Sequence, residues 1–281
     1  MGIDARIKSR ARGSGRSRLR YGFEQWNRSL ARVIANARSA DFPASIEAAL
    51  KTLIDFDILM VFAYSGPAKP LCLYHNMTAD RAATVISDYS KGPYLLDPFY
   101  NAAVNLRETG VNRLRDLAPD QFYSSEYFKR HYVRTRIRDE VGFFLRPRAD
   151  MGVVVSITRP IEEPLFSATE LRTIRAAEPV IRTLAEGYWK DAGDREASGT
   201  ERHPSDPINS ALDQMARNLL TAREIEITSL ILRGHSSASI AALLKIVEGT
   251  VKIHRKNIYQ KLSISSQSEL FSLFISHLQK Y

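Results

Sequence analysis

The chain has one cysteine, two tryptophans and no apolar run long enough to cross a bilayer, and each shortage excludes something. Cys72 alone cannot close an intrachain disulfide, and no Cys/His cluster has zinc-ligand spacing. A reducing, cytoplasmic setting is therefore expected, with no structural metal and no cofactor. No stretch reaches the roughly 18 apolar residues of a membrane span, and the first turns of chain are too polar for a signal peptide, so no membrane partner is expected. A glycine-rich phosphate loop, His-Glu-x-x-His and Gly-x-Ser-x-Gly are all missing. The adjacent acids Asp139-Glu140 and Glu162-Glu163 read as ordinary surface carboxylates, and Cys72 in a strand reads as core. Nothing marks an enzyme.

What is present is an ordinary globular composition, 44% apolar and 25% charged over 281 residues, enough for one or two cores. The net charge of +9 is unevenly placed. Residues 1–20 carry seven basic side chains against Asp4, residues 211–281 carry nine against five, and the middle is close to neutral. A basic tail of this kind is either solvated or an arm that follows phosphates.

From 21 to 190 the pattern mixes helical and strand periods. Helices are expected near 22–38, 43–55, 79–89, 97–105, 124–136 and 168–190. Strands are expected at Ile58-Leu-Met-Val-Phe-Ala-Tyr64, Leu71-Cys-Leu-Tyr74, Val141-Gly-Phe-Phe-Leu145 and Gly152-Val-Val-Val-Ser-Ile157. That order gives a mostly antiparallel sheet with helices on its faces. Residues 191–210 hold one large aliphatic side chain, Ile208, and two prolines; they read as a linker that lets the halves move unless another contact holds them. The expected domains are a basic arm at 1–20, a sandwich at 21–190, the linker, and a helical unit at 211–281.

Caps delimit the helical unit. Thr221-Ala-Arg-Glu224 and Ser266-Gln-Ser-Glu269 have the form of capping boxes, Gly234 stops the first helix, and Ser236 or Ser237 starts a second that buries Ile240, Leu243 and Leu244. A third helix runs from Glu248 to Leu262. At 3.6 residues per turn, Val251, Ile258 and Leu262 form one buried stripe, while Gly249, Lys252, Ile253 and Lys256 face outward together. Two helices, a tight turn and a basic helix follow helix-turn-helix logic. Lys252 and Lys256 suit base acceptors in a major groove and Ile253 a thymine methyl, with Arg255 and Lys261 at the edges suited to phosphates and His254 bordering the core. The plain alternative is a solvated basic face.

These residues resemble the LuxR-type helix-turn-helix of bacterial transcription regulators, through Leu220-Thr-Ala-Arg-Glu224, Gly234, Ile240-Ala241, Leu244, Thr250-Val-Lys252, His254, Asn257-Ile-Tyr259 and Lys261-Leu262. The resemblance covers about 60 residues. It implies double-stranded DNA as partner, with Thr250 in the DNA-binding set, base approach by Lys252, Ile253 and Lys256, RNA polymerase as a further partner, and a last helix, 267–278, that contributes to a homodimer. Val247 stands where the family usually has a capping serine, removing a hydrogen bond of about 1 kcal/mol and leaving the helix to firm on DNA.

Tyr94-Leu-Leu-Asp-Pro-Phe-Tyr100 is similar to the Asp-Pro segment of the autoinducer-binding domains of the same regulators. The resemblance implies a GAF-like α/β/α sandwich with an antiparallel sheet, and an overall α+β chain ending in the all-α reading head. In the family the aspartate accepts a hydrogen bond from the signal's amide. Aromatic residues expected near Thr84 and Asn112 are absent, and Glu140 takes the place of an expected glycine, which argues against an ordinary acyl-homoserine lactone. Tyr94, Asp97, Phe99, Tyr100, Phe122, Tyr123, Tyr127, Asp139 and Glu140 are candidates for a cavity lining; alternatively the rings are core and the acids are solvated or paired with Arg138. Carboxylates facing rings favour an amine- or amide-bearing effector. The rival class is a protein-interaction module with a ligand-free dimerisation domain, which would show apolar anchors on the Lys252 and Lys256 face.

Overall fold

The computed structural model describes residues 22–65, 68–105, 109–192, 207–216 and 219–279. The basic arm and most of the expected linker lie outside them. The chain opens with two helices, α1 (22–35) and α2 (Phe42–Lys51), followed by strands β1 (Leu59–Ser65) and β2 (Leu71–His75). Helical turns follow as α3 (79–90) and α4 (Pro98–Val104), then β3 (Gly110–Arg113), α5 (Leu114–Leu117) and α6 (126–135). The long strands β4 (Ile137–Arg148) and β5 (Met151–Pro160) and the helix α7 (Ala168–Trp189) complete the first unit.

All five strands are antiparallel, in the order β2-β1-β5-β4-β3. β1 and β5 are covered on both faces, which is why they read as unbroken apolar runs rather than alternating ones. Strand alternation divides their side chains between two cores. Leu59, Val61, Val141, Phe143, Val153, Val155 and Ile157 pack toward α2 and α7 with Phe42, Ile46, Leu50, Ile174 and Trp189. Met60, Phe62, Tyr64, Phe144 and Val154 pack toward α3, α4 and α6. β3 was not expected; Gly110-Val-Asn-Arg113 is four residues with one large apolar side chain and carries no strand pattern.

The second unit consists of α8 (Pro207–Ala216), α9 (Ala222–Arg233), α10 (Ser237–Leu244), α11 (Glu248–Lys261) and α12 (Gln267–Leu278). α8 begins inside the expected linker, and Ile208, that linker's lone aliphatic residue, is fully buried. Thr221 and Glu224 form the expected capping box, and Gly234 closes α9 in the left-handed region at φ 97°. At the start of α12 the expected box is incomplete: Ser266 accepts from the Glu269 amide, but the Glu269 carboxylate accepts from the Ser265 amide instead of that of Ser266.

The two units are in contact. One apolar cluster runs from the sheet face of Met60 and Phe62 through α3–α6 into Ile208, Leu212, Ile231, Leu270, Phe271 and Phe274. Ser236 donates its amide to Asp120 Oδ1 at 3.0 Å, and Ser268 donates its hydroxyl to Glu126 at 3.2 Å. Arg130 reaches Ser272 Oγ at 3.1 Å and lies 5.2 Å from the centre of the Phe271 ring. The loose connection expected from the linker composition is thus offset by a packed interface, much of it through α12.

Candidate functional sites: a sensor cavity and a reading helix

Between the sheet and α3, α4 and α6 lies a small cavity, with about 20 Å3 open to the centre of a water molecule. That is room for one water, so any larger occupant must displace side chains. Its floor is Met60, Phe62 and Tyr64 of β1, Glu140 of β4 and Val154 and Ser156 of β5; its roof includes Val85, Tyr89, Asp97, Phe99, His131 and Tyr132. Two π-helical turns, residues 83–87 and 129–133, supply Val85, His131 and Tyr132. Such turns are locally adjustable and recur at functional sites.

Asp97 and Glu140 are both buried here. Asp97 is the N-cap of α4: Oδ1 accepts from the Phe99 amide at 2.9 Å, and Oδ2 from the Tyr89 hydroxyl at 2.8 Å, which in turn meets the Tyr64 hydroxyl at 3.1 Å. Glu140 accepts from the Tyr132 hydroxyl at 2.8 Å and from the Ser156 hydroxyl. Burial pushes Asp97 up to about 6 despite its two donors. Burial, and next the nearby Asp97 charge, push Glu140 up to about 8. Burial lowers His131 to about 4, leaving it neutral near pH 7.

The adjacent Asp139 and Glu140 are therefore not surface carboxylates. Alternation sends them to opposite faces of the sheet. Asp139 takes both Arg113 Nε, at 3.1 Å, and Nη2, and accepts from the Phe166 amide at 2.9 Å. Its partner is Arg113 rather than Arg138, which bonds the Ile161 carbonyl.

Of the expected lining, Asp97, Phe99 and Glu140 reach the cavity. Tyr100 lies behind it, edge-on to Tyr64 at 5.4 Å. Tyr127 also lies behind the lining, stacked on His131 at 5.5 Å, with a buried hydroxyl that has no hydrogen-bond partner. Phe122 is fully buried against Tyr127 and Tyr132. Two placements are corrected. Tyr94 faces a separate cleft between the units, shared with Gly92, Gln214 and Leu278, and Tyr123 is 43% exposed against Phe122 and Phe128, because it sits on the outer side of a short turn. Tyr64, Tyr89, His131, Tyr132 and Ser156 were missed. The alternation that places Ser156 beside Glu140 was readable from the strands, whereas the roof depends on irregular helical turns.

In the second unit α10 and α11 are joined by a turn in which Lys245 is left-handed at φ 55°. α11 starts at Glu248 without a side-chain cap, as the valine at 247 implied; the Val247 carbonyl receives the Thr250 amide at 2.9 Å. The helix runs unbroken from Glu248 to Lys261. Val251 and Ile258 are buried, while Thr250, Lys252, Ile253 and Lys256 are exposed, Ile253 by 62%. Lys252 pairs with Glu248, one turn back at 2.8 Å on the surface. Arg255 is half-buried with Nη2 3.4 Å from the Tyr259 hydroxyl. Lys261 departs from its expected phosphate role: its ammonium is 2.7 Å from the buried Glu224 carboxylate, tying α11 to the cap of α9. Burial would raise Glu224, but Lys261 and the Thr221 amide and hydroxyl outweigh it and hold the carboxyl below its ordinary range.

The structure thus combines an antiparallel sandwich holding an internal polar cavity with a helical unit that carries an exposed basic helix. The sequence pattern of the luxR family of bacterial regulatory proteins matches residues 218–274. The chain is similar to a putative HTH-type transcriptional regulator in the exeN 3′ region of Aeromonas salmonicida, 32% identical over 186 residues, covering 65% of this chain and 94% of that protein. It is also similar to the monoamine regulon transcriptional regulator of Klebsiella aerogenes, 24% identical over 66% of this chain and 73% of that protein. The fold of the first unit is that of the VqsR LBD domain from Pseudomonas aeruginosa, with a TM-score of 0.52 at 23% identity, over 58% of this chain and 95% of that domain. The chain belongs to the luxR family of bacterial regulatory proteins and is a transcriptional regulator, not an enzyme.

Proposed function

We propose that this regulator reads double-stranded DNA with α11 and is controlled by a small molecule held between the sheet and α3, α4 and α6. The observation that carries the reading is the outward face of α11, where Lys252, Ile253 and Lys256 stand clear of the protein while Val251 and Ile258 anchor the opposite face. Lys252 and Lys256 are donors for guanine O6 and N7. Ile253 offers a methyl contact for thymine, as do Val247 and Leu243, the latter exposed on α10 and not buried beside Ile240 as its spacing suggested. Thr250 and Arg255 flank this face and suit phosphates. A short helix reads few bases, so the protein acts as a homodimer on paired half-sites.

The effector is not an ordinary acyl-homoserine lactone, since Glu140 adds a second buried carboxylate to the cavity floor. It carries an amine or an amide, a reading supported by the similarity to the monoamine regulon regulator of Klebsiella aerogenes. The contacts of α6 offer the route to the head. His131 and Tyr132 face the cavity, while Glu126 and Arg130 on the same helix grip Ser268, Ser272 and Phe271 of α12. An effector biases the arrangement only as far as it binds one state better than the other.

The test is fluorescence anisotropy of the full chain on duplexes selected from a random library, with and without small molecules that co-purify from the native host. Selection of a distinct sequence, with affinity altered by the co-purified fraction, supports the reading; equal binding to all duplexes overturns it. Removing residues 1–20 should weaken all duplexes alike and flatten the salt dependence.

A further inference from the structure

We infer that the sensor cavity is a site for a small organic cation, a primary ammonium whose charge is paired by Glu140. This deepens the small-molecule reading above and rests on it.

Four observations converge. First, Glu140 and Asp97 are both buried in one cavity, and no lysine or arginine lines it. Among the described residues the buried guanidinium groups are those of Arg113, engaged by Asp139 on the opposite face, and Arg159, engaged by Glu170. A carboxylate buried without a cation takes up a proton instead of staying charged, so a positive ligand can pair the ionised form whereas a neutral one meets only the neutral acid. Second, the two acids differ in how firmly they are committed. Asp97 is fixed by the Phe99 amide as the cap of α4, whereas both donors to Glu140 are side-chain hydroxyls, Tyr132 and Ser156, which can rotate toward other acceptors. Glu140 is the carboxylate free to take a new partner.

Third, the buried Tyr127 hydroxyl lacks a hydrogen-bond partner and lies within electrostatic reach of both Asp97 and Glu140. A hydroxyl so placed can turn to hydrogen-bond a polar group seated beside the two acids. Fourth, the walls are the rings of Phe62, Tyr64, Tyr89, Phe99 and Tyr132, whose faces attract a cation. An anion would meet two carboxylates.

Binding is coupled to protons. Glu140 is raised to about 8 by burial and by Asp97, so near pH 7 the empty site holds it mostly protonated. The groups facing it are Asp97 from α4, Tyr64 from β1, Tyr127, His131 and Tyr132 from α6, and Ser156 from β5, with Asp139 as its chain neighbour. Burial holds the three tyrosines protonated and His131 neutral near pH 7, while Asp97 is pushed up to about 6. Seating an ammonium ionises Glu140 and releases a proton.

The experiment is titration calorimetry of the full-length protein with ethylamine, butylamine and 2-phenylethylamine, each paired with its matching alcohol, at pH 7 in two buffers of different ionisation enthalpy. The inference expects an amine to bind about tenfold or more tighter than its alcohol, with a proton released to buffer. Glu140→Gln should remove that preference and leave alcohol binding nearly unchanged, while Tyr127→Phe should weaken the amine a few-fold. Glu140→Gln is nearly isosteric, and a retained thermal transition shows that it folds. Equal binding of amine and alcohol, an unchanged preference in Glu140→Gln, or no amine binding at all overturns the inference. The broader small-molecule reading fails on a different result: every amine and alcohol of the panel, and the fraction that co-purifies from the native host, leaving the anisotropy of the full chain on its selected duplex unchanged.

Discussion

The Gln121 amide donates to the Gly234 carbonyl at 2.9 Å, joining a loop of the first unit to the turn that ends α9 in the second. The glycine is required twice at that point. Its φ is 97°, and a Cβ there would stand 2.9 Å from the Phe122 Cα. Gly234→Ala must therefore strain the turn and push the units apart. We expect a loss of about 1–3 kcal/mol in denaturant unfolding, with faster amide exchange in residues 120–124 and 234–237.

Glu140 sets a pH dependence of stability with a definite sign. An acid whose folded pKa lies above its unfolded one stabilises the fold in its protonated form, and that contribution is lost as pH rises through the folded value. Glu140 moves from 4.5 to about 8, and Asp97 from 3.8 to about 6. His131, lowered from 6.5 to about 4, acts oppositely: it withdraws stability as pH falls below 6.5. Between pH 6.5 and 8 Glu140 acts with little opposition. Thermal unfolding should show a melting temperature that falls across this window in the wild type and a flatter profile in Glu140→Gln.

Much of this was legible in the sequence. The capping box at Thr221 and Glu224, the stop at Gly234 and the buried stripe of Val251 and Ile258 all follow from local spacing, and the structure has each of them. Adjacent acids were the harder case. Asp139 and Glu140 look like surface charge until the strand is known to be covered on both faces, and only then does alternation separate an ion pair from a cavity acid. The cavity roof was not legible in full because a π turn at 129–133 brings His131 and Tyr132 inward, while Tyr123 sits on the outer side of a separate 3-10 turn at 122–124. Lys261 shows a similar limit: its helical position suits a phosphate, but a carboxylate 37 residues earlier in the chain captures it.

The Arg113 and Asp139 pair is buried on both sides, with side-chain exposures of 11% and 4%. Removing one partner leaves a charge without compensation. Arg113→Met or Asp139→Leu alone should cost about 3–5 kcal/mol in urea unfolding, and the double replacement should recover much of that loss. An additive double variant would refute the coupling.

Lys261→Ala should act on stability rather than on DNA contact. It leaves Glu224 buried without its ammonium and should cost about 1–3 kcal/mol in the unfolding of the head. Lys261→Arg should restore most of it. In anisotropy the folded alanine variant should keep the wild-type salt slope, since no phosphate contact is removed.

The central claim is that α11 reads base edges. Its most direct measurement is the affinity of wild type, Lys252→Ala and Lys256→Ala for a selected duplex and a random one at a single salt concentration. The account predicts that each substitution costs about 1–3 kcal/mol on the selected duplex and much less on the random one, with preference relaxed at one base pair per lysine. Equal losses on both duplexes would contradict it.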